Sequence, residues 1–255
     1  MIRPVLLGGA RELPPAQELS IGTLDASISD KTLRDLFVCR REIDAVWIYL
    51  AANGIMHSLL LGVWLAVRNI LQSASLIHFY LDTIDATRSP PTDPNKLRAQ
   101  SYLALAALYF SRITRFSPTI NGVRLYDAAP MISTQLRLLL MQEEEKLSDQ
   151  ECSRFQNARL WALYVGAQAE QMPIRNRPEP ITAWFNTNFA VQARRMGLLS
   201  WQAVRVILEG FIFSDLLQPH PSQWFFKTMS TNLDMLRATE AVGRVPVSAW
   251  QAAPT

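Results

Sequence analysis

The sequence predicts an all-α chain, a multi-helix bundle or irregular helical array of about seven to nine helices. Three observations predict it. Apolar residues recur at spacings of three and four along most of the chain, and the breaks in that pattern fall at proline and glycine. No stretch alternates apolar and polar residues cleanly enough for a half-buried sheet, and no long-period repeat is evident. Of 255 residues 49% are apolar and 18% charged, so the chain can bury enough surface to offset the entropy of ordering it. The expected organisation is a poorly ordered segment over 1–29, a helical domain over 30–240 and a flexible tail over 241–255.

Each element follows from a local signal. Leu33, Leu36, Phe37, Ile43, Val46, Trp47 and Leu50 draw an apolar stripe down one face of a first helix, Lys31 to Ala52, stopped at Asn53-Gly54. A second helix, Met56 to Ile84, is apolar on most sides and is expected to be central; Ser89-Pro90-Pro91 ends it. Asp93 before Pro94 has the chemistry of an N-cap with proline at the first helical position, opening a third helix to about Arg115. Pro118 and Asn121-Gly122 mark a connection over 116–129, followed by a helix from Met131 to Lys146. Ser148-Asp149-Gln150-Glu151 fits a capping box for a helix running to Gln171. A loop holding Pro173, Pro178 and Pro180 separates it from a helix over Thr182 to Met196, ended by Gly197. Ser200 caps a helix expected to reach Leu217 before Pro219, and a last amphipathic segment spans Ser222 to Glu240.

Composition excludes several function classes. A net charge of +3, spread along the chain, gives no nucleic-acid patch. Two cysteines, Cys39 and Cys152, far apart in sequence, exclude a disulfide framework and an all-cysteine metal cluster within these residues, and fit a reducing compartment. Val5 to Gly9 is far too short for a signal-peptide core. The uncharged run Ala45 to Val67 has the length of a bilayer span, about 20 residues, but Asn53, Gly54, His57 and Ser58 interrupt its middle, so it reads as two soluble helices.

Catalytic signatures are sparse. There is no nucleophile elbow, P-loop, dinucleotide fingerprint or paired-histidine zinc motif, and His57, His78 and His220 lack local partners. Asp82 and Asp85, at i and i+3 on one helix face, could hold magnesium beside a diphosphate, as in the aspartate-rich motif of isoprenoid synthases. No second metal motif follows downstream, so an exposed helix end is the simpler account of the pair. Glu143-Glu144-Glu145-Lys146 reads as a solvated face. Cys39, beside Arg40 and Arg41, lies near the apolar stripe and reads as a buried, inert thiol; Cys152, near a helix start, has no base beside it.

The second half carries a more specific pattern. Arg159-Leu160-Trp161-Ala162-Leu163-Tyr164-Val165-Gly166-Ala167-Gln168-Ala169-Glu170 is followed, after the proline loop, by Trp184-Phe185, then Ala193-Arg194-Arg195-Met196-Gly197-Leu198-Leu199-Ser200-Trp201, and then Val204 to Asp215 with Glu209-Gly210-Phe211-Ile212-Phe213 inside it. In order and spacing this resembles the carboxyl-terminal end of the fungal-specific transcription factor regulatory domain, most strongly over about 150–226. The resemblance implies a non-catalytic transcription regulatory module of the nucleus, working through proteins of the transcription machinery, a full-length relative or a small-molecule effector, without a membrane. Its pattern positions, Trp161, Gly166, Glu170, Trp184, Phe185, Trp201, Phe211 and Asp215, are expected to be structural, with Leu160, Leu163 and Tyr164 facing the core and Gly166 permitting close helix approach. Trp201, Val204, Ile207, Leu208, Phe211 and Ile212 are expected inward on one helix, and Glu170 is expected to pair with Arg175 or Arg177. The family's zinc binuclear cluster needs six close cysteines, which these residues lack, so no direct DNA binding, catalytic group, metal site or resident cofactor is expected here; zinc would enter only with an upstream cysteine-rich segment. The missing cluster, with a length short for a complete factor of that kind, is expected to mean a truncated product, a regulatory region cut from a longer factor, or a relative that has lost its DNA-reading module.

Overall fold

The computed structural model describes residues 23–52, 59–86, 93–116, 119–120, 123–124, 130–146, 154–171, 183–213 and 220–230. Among them are eight α-helices: α1 (Lys31–Ala52), α2 (Leu59–Ala86), α3 (Pro94–Ser111), α4 (Pro130–Lys146), α5 (Gln156–Gln171), α6 (Trp184–Arg195), α7 (Trp201–Leu208) and α8 (221–230). The architecture is an all-α array. A two-residue antiparallel ribbon, β1 (Thr119–Ile120) and β2 (Val123–Arg124), pairs Thr119 with Arg124 and Ile120 with Val123. It brackets the Asn121-Gly122 turn signal.

Two helices form the centre, α3 and α5. No formal charge occurs between Arg98 and Arg112 or between Arg159 and Glu170, and a helix apolar all round is buried all round. Every residue of α3 from Ala99 to Ser111 is buried, as is α5 from Ala158 to Ala169. Around this pair, α2 and α4 pack on α3, α6 and α7 pack on α5, and α1 packs on α2. The expectation that the second helix is central is therefore corrected. It lies at the periphery: Leu65 and Leu76 face inward, while Val63, Ile70 and Leu81 are exposed.

Helix starts follow the local signals closely. The Asp93 carboxylate accepts from Lys96 N at 2.9 Å, with Pro94 at the first position of α3. Ser200 Oγ accepts from Ala203 N at 3.3 Å to open α7. Gly197, with φ of 68°, takes the left-handed conformation that closes α6, where a side chain would be strained. Beyond Ser111 the third helix widens into one π turn, Arg112–Phe116. The Ser148 capping box, Cys152 and the stop at Asn53-Gly54 lie outside the described residues.

Two boundaries differ from expectation. The packed body begins before residue 30: Ile28 is fully buried, Asp30 Oδ1 accepts from Leu33 N at 3.1 Å as the cap of α1, and Asp25 accepts from Asn157 Nδ2 at 2.9 Å. The helix opened by Ser200 ends at Leu208 rather than Leu217. Its continuation is displaced by tertiary partners, because Arg41 of α1 donates to the carbonyls of Glu209 and Phe211, and Gly210 O accepts from Asp25 N at 2.8 Å. Phe211 and Ile212 are still buried as expected, but from a turn and not from a helix face; Ile207 is half-buried. Residues 241–255 lie outside the described residues.

Candidate functional site

The pattern residues of the second half come together into one packed unit. Trp161, fully buried on α5, donates from Nε1 to Ile212 O at 2.8 Å and stacks on Phe211, with ring centroids 5.3 Å apart and planes 13° apart. Phe37 of α1 closes the other side of the indole at 5.3 Å. Tyr164, one turn further along α5, meets Phe189 of α6, Trp201 of α7 and Trp224 of α8 at centroid distances of 5.7–6.2 Å. Five elements are thus tied by aromatic contacts, each preferring tilted or offset geometry.

Gly166 and Phe185 are complementary. A Cβ at Gly166 would lie 2.1 Å from Phe185 Cδ1, so the ring occupies space that only glycine leaves open. Next to it, α6 has no cap of its own: Ala183 precedes it and offers no side-chain acceptor. Glu170 supplies the missing acceptor from across the loop. Its carboxylate accepts from Phe185 N and Asn186 N, each at 3.0 Å, and from Asn186 Nδ2 at 3.0 Å. Burial raises the carboxyl above its ordinary value, opposed by these three donors and by the positive charge of Arg137. Arg137 in turn sits 5.3 Å over the Trp184 ring. Arg175 and Arg177, the expected partners of Glu170, lie outside the described residues, as does Asp215. The start of α6 is the partner that sequence reasoning missed.

A second buried polar centre was not anticipated. Arg40 is fully buried on α1, and all its nitrogens are engaged: Nε and Nη2 with the Asp44 carboxylate at 3.0 and 2.8 Å, Nη1 with Asn69 Oδ1 at 2.8 Å and Ser111 Oγ at 3.0 Å, and Nη2 with Thr114 Oγ1 at 3.3 Å. Asn69 belongs to α2, Ser111 to the end of α3 and Thr114 to the π turn. The signal for this centre is a charge inside the α1 stripe, three residues after Phe37 and three before Ile43. Beside it Cys39 is a free, half-buried thiol, pushed above its ordinary value by burial against the opposing pull of Arg68 and Arg40. That shift makes it a poorer nucleophile, in keeping with an inert thiol.

Among the described residues, a groove of ≈ 1360 Å³ lies where the start of α1, the second half of α2 and the start of α3 converge. Asp30, Asp35, Asp82 and Asp93 line it together with Lys96 and Arg154; Arg154 Nη1 lies 3.1 Å from Asp93 Oδ2. Mixed charges along an apolar floor suit a polar small molecule. Asp82 reaches this groove, 3.6 Å from the exposed His78 Nε2, whereas Asp85 is exposed on α2. Among the described residues no group of three or more His, Cys, Asp or Glu could hold a metal ion, and no helix is long and apolar enough to cross a membrane. His57 lies outside the described residues, and His220 is exposed at the start of α8.

In comparisons with known proteins, no family model, curated protein or solved structure matches the chain.

Proposed function

We propose that the chain is a non-catalytic regulatory module of transcription, similar to the fungal-specific transcription factor domain and working in the nucleus. It acts through contacts with proteins of the transcription machinery, a full-length relative or a small-molecule effector, and reads no DNA by itself. One observation carries this reading. The pattern positions Trp161, Gly166, Glu170, Phe185, Trp201 and Phe211, scattered over fifty residues of sequence, serve one purpose in space, which is to dock α6, α7 and α8 on α5. A module of this kind reports a ligand or partner by shifting between packings, and the groove beside α1, α2 and α3 is the place for an effector. Such a shift requires an effector with different affinity for the two packings.

A genome-wide chromatin-association assay on the tagged chain tests the reading, paired with binding of the purified chain to naked DNA. The expected result is locus-specific association in cells and only weak, salt-sensitive, sequence-independent binding in vitro. Specific binding to naked DNA, or no chromatin association at all, overturns it.

A further inference from the structure

Helix α2 buries a set of polar residues and exposes a stripe of apolar ones. Its inner face, against α1 and α3, carries Asn69, Gln72, Ser73 and Thr83 beside Leu65 and Leu76, and three of the polar four bond inward: Asn69 Oδ1 accepts from Arg40, Gln72 Nε2 donates to Leu36 O at 3.2 Å, and Thr83 Oγ1 accepts from Ser101 Oγ at 2.8 Å. The outer face is apolar. Val63, Val67, Ile70, Ala74, Ile77 and Leu81 are all exposed, at 54% for Val63, 61% for Ile70 and 51% for Leu81. A helix that serves only its own core places these two sets the other way round.

The spacing of the outer set identifies its partner. It runs four, three, four, three, four, the 3.5-residue period that keeps one seam aligned along a helix wound against another helix. The period is also self-complementary under a two-fold axis at Gln72. In antiparallel register Val63 meets Leu81 of a second copy, Val67 meets Ile77, and Ile70 meets Ala74, which sets a large side chain against a small one at the centre. Charge selects the same orientation. Asp82 and Asp85 are exposed at the carboxyl-terminal end of α2, so a parallel pair would bring four carboxylates together, whereas an antiparallel pair sets each against the positive end of the other helix dipole. The exposed apolar area of the seam, whose Ala74 also borders the groove, is on the order of 500 Å², at the upper end for a monomer. Pairing it with an equal patch buries on the order of 1,000 Å², the threshold of a specific interface.

We propose that the chain forms a two-fold dimer through an antiparallel pairing of α2 with α2. A lipid surface fits the same face less well. Arg68, the cation nearest the seam, is turned to Glu42 at 3.7 Å and to the Trp64 ring at 5.8 Å, and the exposed rim carries His78, Asp82 and Asp85 where an anionic membrane calls for lysine and arginine.

Sedimentation velocity of the full chain over a concentration series tests the proposal, with Ile70→Glu and, as a second surface variant, Leu81→Gln. The expected result is a monomer–dimer equilibrium whose dissociation constant rises about a hundredfold in Ile70→Glu, with circular dichroism unchanged and with Tm unchanged at concentrations where both chains are monomeric, because the side chain is exposed in the monomer. Register is read in a chain with Cys39 and Cys152 replaced by serine: a mixture of Val63→Cys and Leu81→Cys chains cross-links under mild oxidation, while neither does alone. A monomer at all concentrations, as when residues of the chain's own termini cover the seam, overturns the proposal. So does a dimer that both variants leave intact, a Leu81→Cys homodimer cross-link, or pelleting of the monomer with phosphatidylcholine–phosphatidylserine vesicles that Ile70→Glu abolishes.

Discussion

Gly166 shows how one residue constrains a region. Its missing Cβ is filled by the Phe185 ring, so Gly166→Ala forces the ring or α6 to move, with an expected loss of about 2–3 kcal/mol in chemical denaturation. Phe185→Leu alone leaves a gap beside Gly166. Because each substitution relieves the fault of the other, the double variant is expected to be more stable than the sum of the two losses allows, and a double-mutant cycle measures that coupling. The role of Gly166 was legible in the sequence as permission for close helix approach. The identity of the approaching group was not, because Phe185 arrives from beyond the proline loop, at a separation that helical periodicity does not reach.

At the scale of elements, two caps that are local in sequence, Asp93 and Ser200, were legible and the one supplied from elsewhere was not. Asp93 and Ser200 each stand three residues before the amide they bond, a spacing visible in the chain. The start of α6 is capped by Glu170 from the end of α5. This has a pH signature. Burial raises the Glu170 carboxyl, so the folded chain holds that proton more tightly than the unfolded chain does. The group's contribution to stability is complete below the ordinary glutamate value and falls as pH rises through the raised one. Glu170→Gln removes the titration. Its stability, measured by denaturation across the interval just above the ordinary carboxylate range, is expected to fall less steeply with pH than that of the unsubstituted chain. The end of α7 teaches the same lesson. Apolar periodicity continues through Phe211 and Ile212, but Arg41 and Asp25 claim the backbone of 209–211 and stop the helix at Leu208.

For the whole molecule, the Arg40 centre joins what the central hydrophobic cluster leaves separate. It links α1 to α2 through Asn69, and to the end of α3 and its π turn through Ser111 and Thr114, where Ile43, Val46 and Leu65 form a second, smaller core. Arg40→Leu matches the surrounding apolar stripe yet takes the guanidinium donor away from the half-buried Asp44 carboxylate and from the buried Asn69 amide oxygen. The expected cost is about 3–5 kcal/mol, read as a lowered denaturation midpoint. Replacing Asp44 and Asn69 together with Arg40 by apolar residues is expected to recover much of it, since the penalty lies in the desolvated polar groups that lose the guanidinium.

The sequence by itself determined the all-α class and the starts of α1, α3, α4, α7 and α8, because periodicity and caps act within a few turns of chain. Only the tertiary structure decided that α2 lies outside, with polar residues inward and an apolar seam outward. Periodicity records which positions are apolar and carries no sign for the side that meets the core. That sign comes from the partners: Arg40 and Ser101 draw Asn69 and Thr83 inward, and the valine, isoleucine and leucine side chains are left facing out.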